Sequence, residues 1–432
     1  MTIQTQPPLE QPVPANVAGV GTTPTSALFK APIAFGVLTL AIGILAFVKP
    51  RSGETGFRLA ADSDFFTLPE AIVPTRGTVI AVFLALALIA AVSAARAVRG
   101  RRTPLWLIAL FAVVAMTGFL TWAAKGQSVP VVGLLAGSVA LAVPLVFGAL
   151  GGVLGERAGV VNIAIEGQLL LGAFAAAVAG TITGSTWGGL VGAMLAGALV
   201  ALVLGFFAIT YFVDQVIVGV VLNVLVVGLT SFLFGQLLAD NPEHLNDPPH
   251  FSRVPIPVLG DLPLIGPVLF RQTILVYLMY AAVAVVAWAL YRTKWGLRVR
   301  AVGEHPKAAD TVGIKVNRTR YTTMLIAGLI AGAGGATYTL VSVPQFGEEM
   351  TNGAGYIALA AVIFGRWDPV RATLAALLFG FATNLSGVLS VLGSPVPSQF
   401  MLMLPYLVTI IAVAGLVGHS RAPAADGIPY RK

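Results

Sequence analysis

Long apolar runs joined by short polar connections dominate the chain. A helix that crosses about 30 Å of hydrocarbon needs roughly 20 predominantly apolar residues. That ruler predicts about twelve spans. The first two, Phe29 to Val48 and Gly77 to Ala95, form a hairpin. Five follow at Pro104 to Ala124, Val129 to Leu150, Gly167 to Thr183, Trp187 to Tyr211 and Gln215 to Leu238. A polar, proline-rich connection from Ala239 to Phe270 leads to a last five. These lie at Gln272 to Tyr291, Tyr321 to Val343, Gly355 to Phe364, Ala372 to Leu392 and Gln399 to Val417. Met1 to Ala27 is rich in proline, poor in apolar side chains and without a basic residue, which predicts a disordered lead and not a signal peptide.

Five spans, a long connection and five more spans fit two inverted structural repeats. The expected fold is therefore an all-α polytopic membrane protein: a lead (1–27), an extra N-terminal hairpin (28–102), a ten-span core (103–420) and a tail (421–432). One span breaks the ruler. Gly355 to Phe364 has about ten residues, or roughly 15 Å of helix, half the hydrocarbon thickness. Membranes tolerate such broken helices only where protein or a watery cavity satisfies the freed backbone groups.

Composition strengthens this reading. Of 432 residues, 57% are hydrophobic and 10% charged, which excludes an ordinary soluble core. The net charge of +8 is explained by loops beside spans and does not call for a nucleic-acid partner. With the N-terminus in the cytoplasm, 19 of the 26 basic residues fall in cytoplasmic segments, as the positive-inside tendency requires. Both termini are then cytoplasmic. Cysteine is absent, so disulfides, thiolate metal sites and cysteine nucleophiles are excluded. The four histidines show no metal-ligand spacing, and no lysine follows a glycine, so the chain lacks a Walker A loop.

Three segments carry candidate chemistry. The first, GERAGVVNIAIEGQLLLGAF, places Glu156, Arg157, Asn162 and Glu166 among glycines and apolar residues. A carboxylate deep in a bilayer is costly unless it is paired or faces a polar path, so Asn162 and Glu166 serve either a pathway or a helix-to-helix hydrogen bond. The second is the island from Arg292 to Arg320, which holds eight Lys/Arg against two acids. Within it Pro306 suits a first helical position and Gly313 a left-handed helix end, which predicts a short cytoplasmic helix over Lys307 to Val312. The third is GYIALAAVIFGRWDP, the short span with its polar end. The GxxxG spacings at Gly151, Gly155, Gly159, at Gly188 and Gly192, and at Gly328 and Gly332 predict close helix packing.

In this order, the three segments resemble the permease subunits of ATP-binding-cassette importers for nucleosides, which are related to sugar and branched-chain amino-acid permeases. The resemblance spreads over roughly Val129 to Gly418, and the lead and hairpin depart from it. It implies that Glu304, His305, Pro306, Ala308, Ala309 and Gly313 form the element that couples to a separate ATPase. It also implies that Asn162, Glu166, Gly167, Asn352, Gly355 and Tyr356 lie near the translocation path, although packing explains this second group equally well. The expected partners are ATPase subunits carrying ATP and Mg, a second related permease, an extracytoplasmic solute-binding protein and the bacterial cytoplasmic membrane. The chain itself would bind no cofactor and have no catalytic residue. An ion-gradient-driven secondary transporter would share this architecture but needs deep ionisable groups, for which Glu166 and Asp214 are the candidates. A membrane-embedded transferase would need paired carboxylates or a metal constellation that the sequence lacks.

Overall fold

The computed structural model describes residues 25–60, 68–397, 399–400, 403 and 421–431. The expected lead and the twelfth span, Gln399 to Val417, lie almost wholly outside the described residues. Among the described residues ten helices are long and apolar enough to cross a membrane, and Ala354–Phe364 is a shorter apolar helix. The polytopic helical class is thus the observed one, with the short span where the sequence places it.

The chain divides into two compact units, residues 1–52 with 74–122 and residues 53–73 with 123–432. In the first, α1 (Thr25–Gly43) continues as a wider π turn to Val48 and packs with α2 (Thr75–Val98) and α3 (Leu105–Ala123). Gly43 gives the Phe83 ring room to approach α1, since a Cβ there would lie 2.9 Å from the ring edge. Phe35 stacks on Phe111 of α3 at 3.9 Å between centroids, and the Trp122 indole donates to Lys49 O at 2.8 Å. These contacts group α3 with the expected hairpin, whereas the sequence assigns that span to the core.

The second unit holds a small three-stranded sheet, β1 (Glu54–Arg58), β2 (Ala71–Pro74) and β3 (Ser128–Pro130), in the order β2-β1-β3 with β1 parallel to β3. Four helices follow: α4 (Val131–Arg157), α5 (Ile165–Thr183), α6 (Thr186–Gly205) and α7 (Gln215–Leu233). The long polar connection contains the turn α8 (Pro242–Leu245) and an antiparallel pair, β4 (Arg253–Pro255) with β5 (Arg271–Thr273). Then come α9 (Ile274–Arg292), α10 (Lys294–Glu304), α11 (Pro306–Thr311), α12 (Val316–Thr337), α13 (Ala354–Phe364) and α14 (Pro369–Val391).

α12 is the centre of this unit and packs on α4, α5 and α6. Lipid supplies no hydrophobic drive for helix association, so close van der Waals approach through small residues has to hold the helices together. The glycines do this. A Cβ on Gly332 would lie 3.1 Å from the Gly197 Cα, one on Gly328 2.8 Å from the Ala198 Cα, and one on Gly151 2.8 Å from the Ala327 carbonyl oxygen. The packing expected of Gly328 and Gly332 is therefore seen between α12 and α6. α4 is longer than its expected end at Leu150, because its glycines and Pro144 are accommodated without ending the helix. Glu156 and Arg157 accordingly sit on its last turn.

Candidate functional site

α4 stops at Arg157, where Gly159 takes a left-handed conformation (φ 81°), and the backbone resumes as α5 at Ile165. This break lies in the interior of the second unit. Asn162 is fully buried and pairs with Gln168 through two hydrogen bonds of 3.1 Å. Gln215 Oε1 accepts the Val161 N–H at 2.7 Å. The Gln215 contact supplies a backbone N–H at the break with an acceptor, and the Asn162–Gln168 amide pair ties the break to the first turn of α5, so Asn162 holds the break together and is not exposed to a cavity.

Glu166, in the first turn of α5 and 7% exposed, points at the N-terminal end of α13. Its Oε1 accepts from the Thr351 hydroxyl at 2.6 Å and the Gly353 N–H at 2.9 Å, and its Oε2 from the Gly355 N–H at 2.6 Å. A carboxylate at this position satisfies N–H groups that have no partner in their own helix and opposes the positive end of the helix dipole. Gly355 is required here, because a Cβ would collide with the backbone at Ile165 and Glu166. Glu166 and Gly355, both singled out in the sequence, are therefore one contact between α5 and α13.

Asn223, midway along α7, completes the arrangement. Its Oδ1 accepts the Gly167 N–H at 2.8 Å, and its Nδ2 donates to Ile163 O at 2.9 Å and to the Tyr356 hydroxyl at 3.2 Å. One amide thus ties α7, the break and α13. Glu166, Asn223, Glu349, Thr351, Asn352 and Tyr356 contribute to the lining of a cavity of about 250 Å³. Asn352 and Tyr356 are exposed, and Asn352 takes the left-handed conformation (φ 44°) that asparagine tolerates. A second cavity of about 400 Å³ shares Thr351 and Asn352 and reaches Pro144, Tyr338 and Ser386. The proline inside α4 removes a backbone donor next to this space. The structure brings together five of the six residues expected near the path, Glu166, Gly167, Asn352, Gly355 and Tyr356, while Asn162 lies in the packed interior of the break.

Sequence reasoning missed Asn223, Thr351 and Gln168. A single amide inside the apolar run Gln215 to Leu238 was the available signal for Asn223, since polar side chains in such runs seek interhelical partners.

The other end of the break joins the three sequence segments. The buried Glu156 carboxylate accepts the Trp367 indole N–H, and Arg157 Nε donates to Trp367 O at 2.8 Å. Arg366 and Trp367 turn the chain between α13 and α14 with positive φ (56° and 55°), a conformation that costs non-glycine residues strain and is held by these bonds. Gly303, near the end of α10, abuts the Arg157 backbone so closely that no side chain fits. The basic island therefore touches the break directly.

Within the island the expected short helix is present as α11. His305 caps it through Nδ1, which accepts the Ala308 N–H at 3.2 Å, Pro306 occupies the first turn, and Gly313 ends it with φ 86°. Glu304, His305, Ala308 and Gly313 are exposed, and Pro306 is half-buried. Ala309 is not on the outer face with them. It is 4% exposed and packs inward with Val302 and Val316, because a six-residue helix must bury one side against its own chain to persist.

Residues 134–413 match the family described as the branched-chain amino acid transport system / permease component. The guanosine ABC transporter permease protein NupQ of Bacillus subtilis is 42% identical over 300 residues, covering 67% of this chain and 94% of that protein. The nucleoside ABC transporter permease protein NupC of Lactococcus lactis is 37% identical over 309 residues, covering 69% and 96%. The putative glucose ABC transporter permease protein TsgC13 of Haloferax volcanii is 36% identical over 304 residues, covering 65% and 91%. No solved structure matches the chain. The matched region begins after α3 and contains the break, the island and the α13 contact, so the chain belongs to the branched-chain amino acid transport system permease family.

Proposed function

We propose that this chain is the membrane-spanning subunit of an ATP-binding-cassette importer and forms the path for nucleosides. The observation that carries the reading is the Glu166, Asn223 and Tyr356 network, in which two interrupted helices and α7 meet beside a cavity that polar side chains help to line. Broken helices at membrane depth persist where they line such a cavity. The relatives named for guanosine and nucleosides favour that solute class over sugars. Asn223, Asn352 and Tyr356 offer amide hydrogen bonding and ring stacking, the two contacts that a nucleobase and its ribose can use.

The chain performs no covalent chemistry on its solute. ATP and Mg belong to separate ATPase subunits, which grip the exposed face of α10 and α11, formed by Glu304, His305, Lys307 and Ala308, from the cytoplasm. A second related permease completes the pathway, and an extracytoplasmic solute-binding protein delivers the nucleoside. The five spans from Pro104 to Leu238 and the five from Gln272 to Val417 act as inverted repeats, in a bacterial cytoplasmic membrane with both termini inside. Movement of α11 is transmitted through Gly303 and Arg157 to the break, and the break opens the Glu166 contact to one side or the other.

Single cysteines test the path cleanly in a chain that has none. Asn352→Cys and Tyr356→Cys should react with a membrane-impermeant thiol reagent, and guanosine should slow both reactions. Reaction rates that no nucleoside alters at either position would remove the path assignment.

A further inference from the structure

The C-terminal segment Arg421–Arg431 does not hang free. It is tied to three separate parts of the second unit. Ala425 N–H donates to Gly303 O at 2.8 Å and Ala424 N–H to Glu304 Oε2 at 3.2 Å, both at the end of α10. Ile428 O accepts from Nη1 of the fully buried Arg320 on α12 at 3.1 Å. Tyr430, 8% exposed, fills a small hydrophobic cluster with Val302, Ala309 and Val316, and its hydroxyl lies near the carboxylate of Asp310 on α11.

The same segment also rests on the break. Gly427 (φ 74°) lies so that a Cβ would touch Val161 at 3.4 Å, and the Ala425 carbonyl would lie 2.9 Å from a Cβ on Gly159. Gly159 is left-handed as well as crowded by the Ala425 carbonyl, so the break meets this segment there only as glycine against backbone, while Gly427 is left-handed and in ordinary contact with the Val161 side chain. A helix of six residues has too few internal hydrogen bonds to hold its own place. Without Tyr430, the inner face of α11 would have only Val302 and Val316 as buried apolar partners in its cluster.

We infer that Arg421–Arg431 is a brace: it clamps α10 and α11 to the α4–α5 break, with Tyr430 as the positioning residue, so that the two move as one body. This rests on the reading of α11 as the ATPase contact. The role of the brace is to make a push on α11 arrive at the break instead of being absorbed by bending at His305 and Gly313.

The test uses the complete transporter, this chain with its ATPase, second permease and binding protein, in proteoliposomes. Nucleoside uptake and ATP hydrolysis are measured together. Tyr430→Ala should lower solute moved per ATP by about fivefold or more, the smallest change typical of a lost coupling, while hydrolysis continues. Tyr430→Phe, which keeps the ring in the cluster, should restore most of the ratio. An unchanged ratio in Tyr430→Ala overturns the brace.

Ala308→Trp is the control for the underlying reading, because Ala308 is exposed while its neighbour Ala309 faces Tyr430. If Ala308→Trp uncouples and Tyr430→Ala does not, the ATPase contact stands and the brace falls. If Ala308→Trp leaves coupling intact, the contact itself is misassigned. Should Tyr430→Ala fail to reach the membrane, spin labels at Val312→Cys and Ala424→Cys decide the matter. A separation that stays constant between ATP-free and ATP-bound states supports one rigid body, and a separation that changes refutes it.

Discussion

Glu166→Gln keeps the size of the side chain and removes one of its two accepting oxygens. Three donors converge on this carboxylate: the Thr351 hydroxyl, the Gly353 N–H and the Gly355 N–H. A glutamine oxygen can serve Thr351 and Gly353, but its NH2 group then faces the Gly355 N–H across a contact of 2.6 Å, donor against donor. Losing a hydrogen bond to a charged acceptor costs about 1.5–3 kcal/mol, and leaving a buried N–H without a partner costs about 1–3 kcal/mol. The two overlap, and the lost charge at the α13 N-terminus adds a few tenths to about 1 kcal/mol. A total of about 2–4 kcal/mol shifts the docking of α13 on α5 by roughly 30- to 900-fold.

If that contact is the closed position of the path, initial uptake of labelled guanosine should fall by at least about tenfold at equal membrane abundance. A cysteine at Asn352 should then become more reactive without solute. Glu166→Asp keeps the charge but falls short of the three donors by one methylene, so its uptake should be intermediate. Wild-type uptake by Glu166→Gln, with unaltered reactivity at position 352, would refute the reasoning.

Three further outcomes follow from the same geometry. Asn223→Leu leaves the Gly167 N–H without its acceptor and Tyr356 without its donor, so the KM for guanosine uptake should rise, with a cost of about 1–3 kcal/mol in the docked state; an unchanged KM would show that the amide only packs. Gly332→Val has to push α12 away from Gly197, and overpacking of this kind typically costs about 1–3 kcal/mol. The purified variant should unfold at a lower temperature in detergent, and an equal midpoint would contradict the packing described. The tail should respond to pH through Asp426, which burial pushes up from 3.8 to about 7 against the pull of the Gly427 N–H and the Arg320 guanidinium, with Glu156 facing it. An acid whose value is raised on docking takes up a proton there, so docking is tightest below about pH 4, weakens as pH rises from 3.8 to about 7 and changes no further above that. A spin label at the exposed Ile428→Cys should be more mobile at pH 8 than at pH 5, and Asp426→Asn should abolish the difference.

Much of this was legible in the sequence, for identifiable reasons. The short span and α11 carry local signals, an apolar run of half the needed length in one case and a proline start with a glycine end in the other. Glu166 stood out because a carboxylate in an apolar run demands partners. What it contacts did not, since the donors on Thr351, Gly353 and Gly355 lie almost 190 positions away in sequence. Ala309 could not be oriented from a helix too short to show periodicity. The role of α3 was hidden because a span that is apolar throughout does not reveal which neighbours it packs against. The tail carries no periodic pattern, and only its burial of Tyr430 and its bond to Arg320 give it a place.

The central claim is that this chain is a passive conduit moved by a separate ATPase. It is tested most directly by reconstituting the purified chain with its second permease and binding protein, with and without the ATPase subunits, and following guanosine accumulation. The account predicts accumulation against a gradient only when the ATPase and ATP are both present. Accumulation driven by a proton or sodium gradient without the ATPase would contradict it.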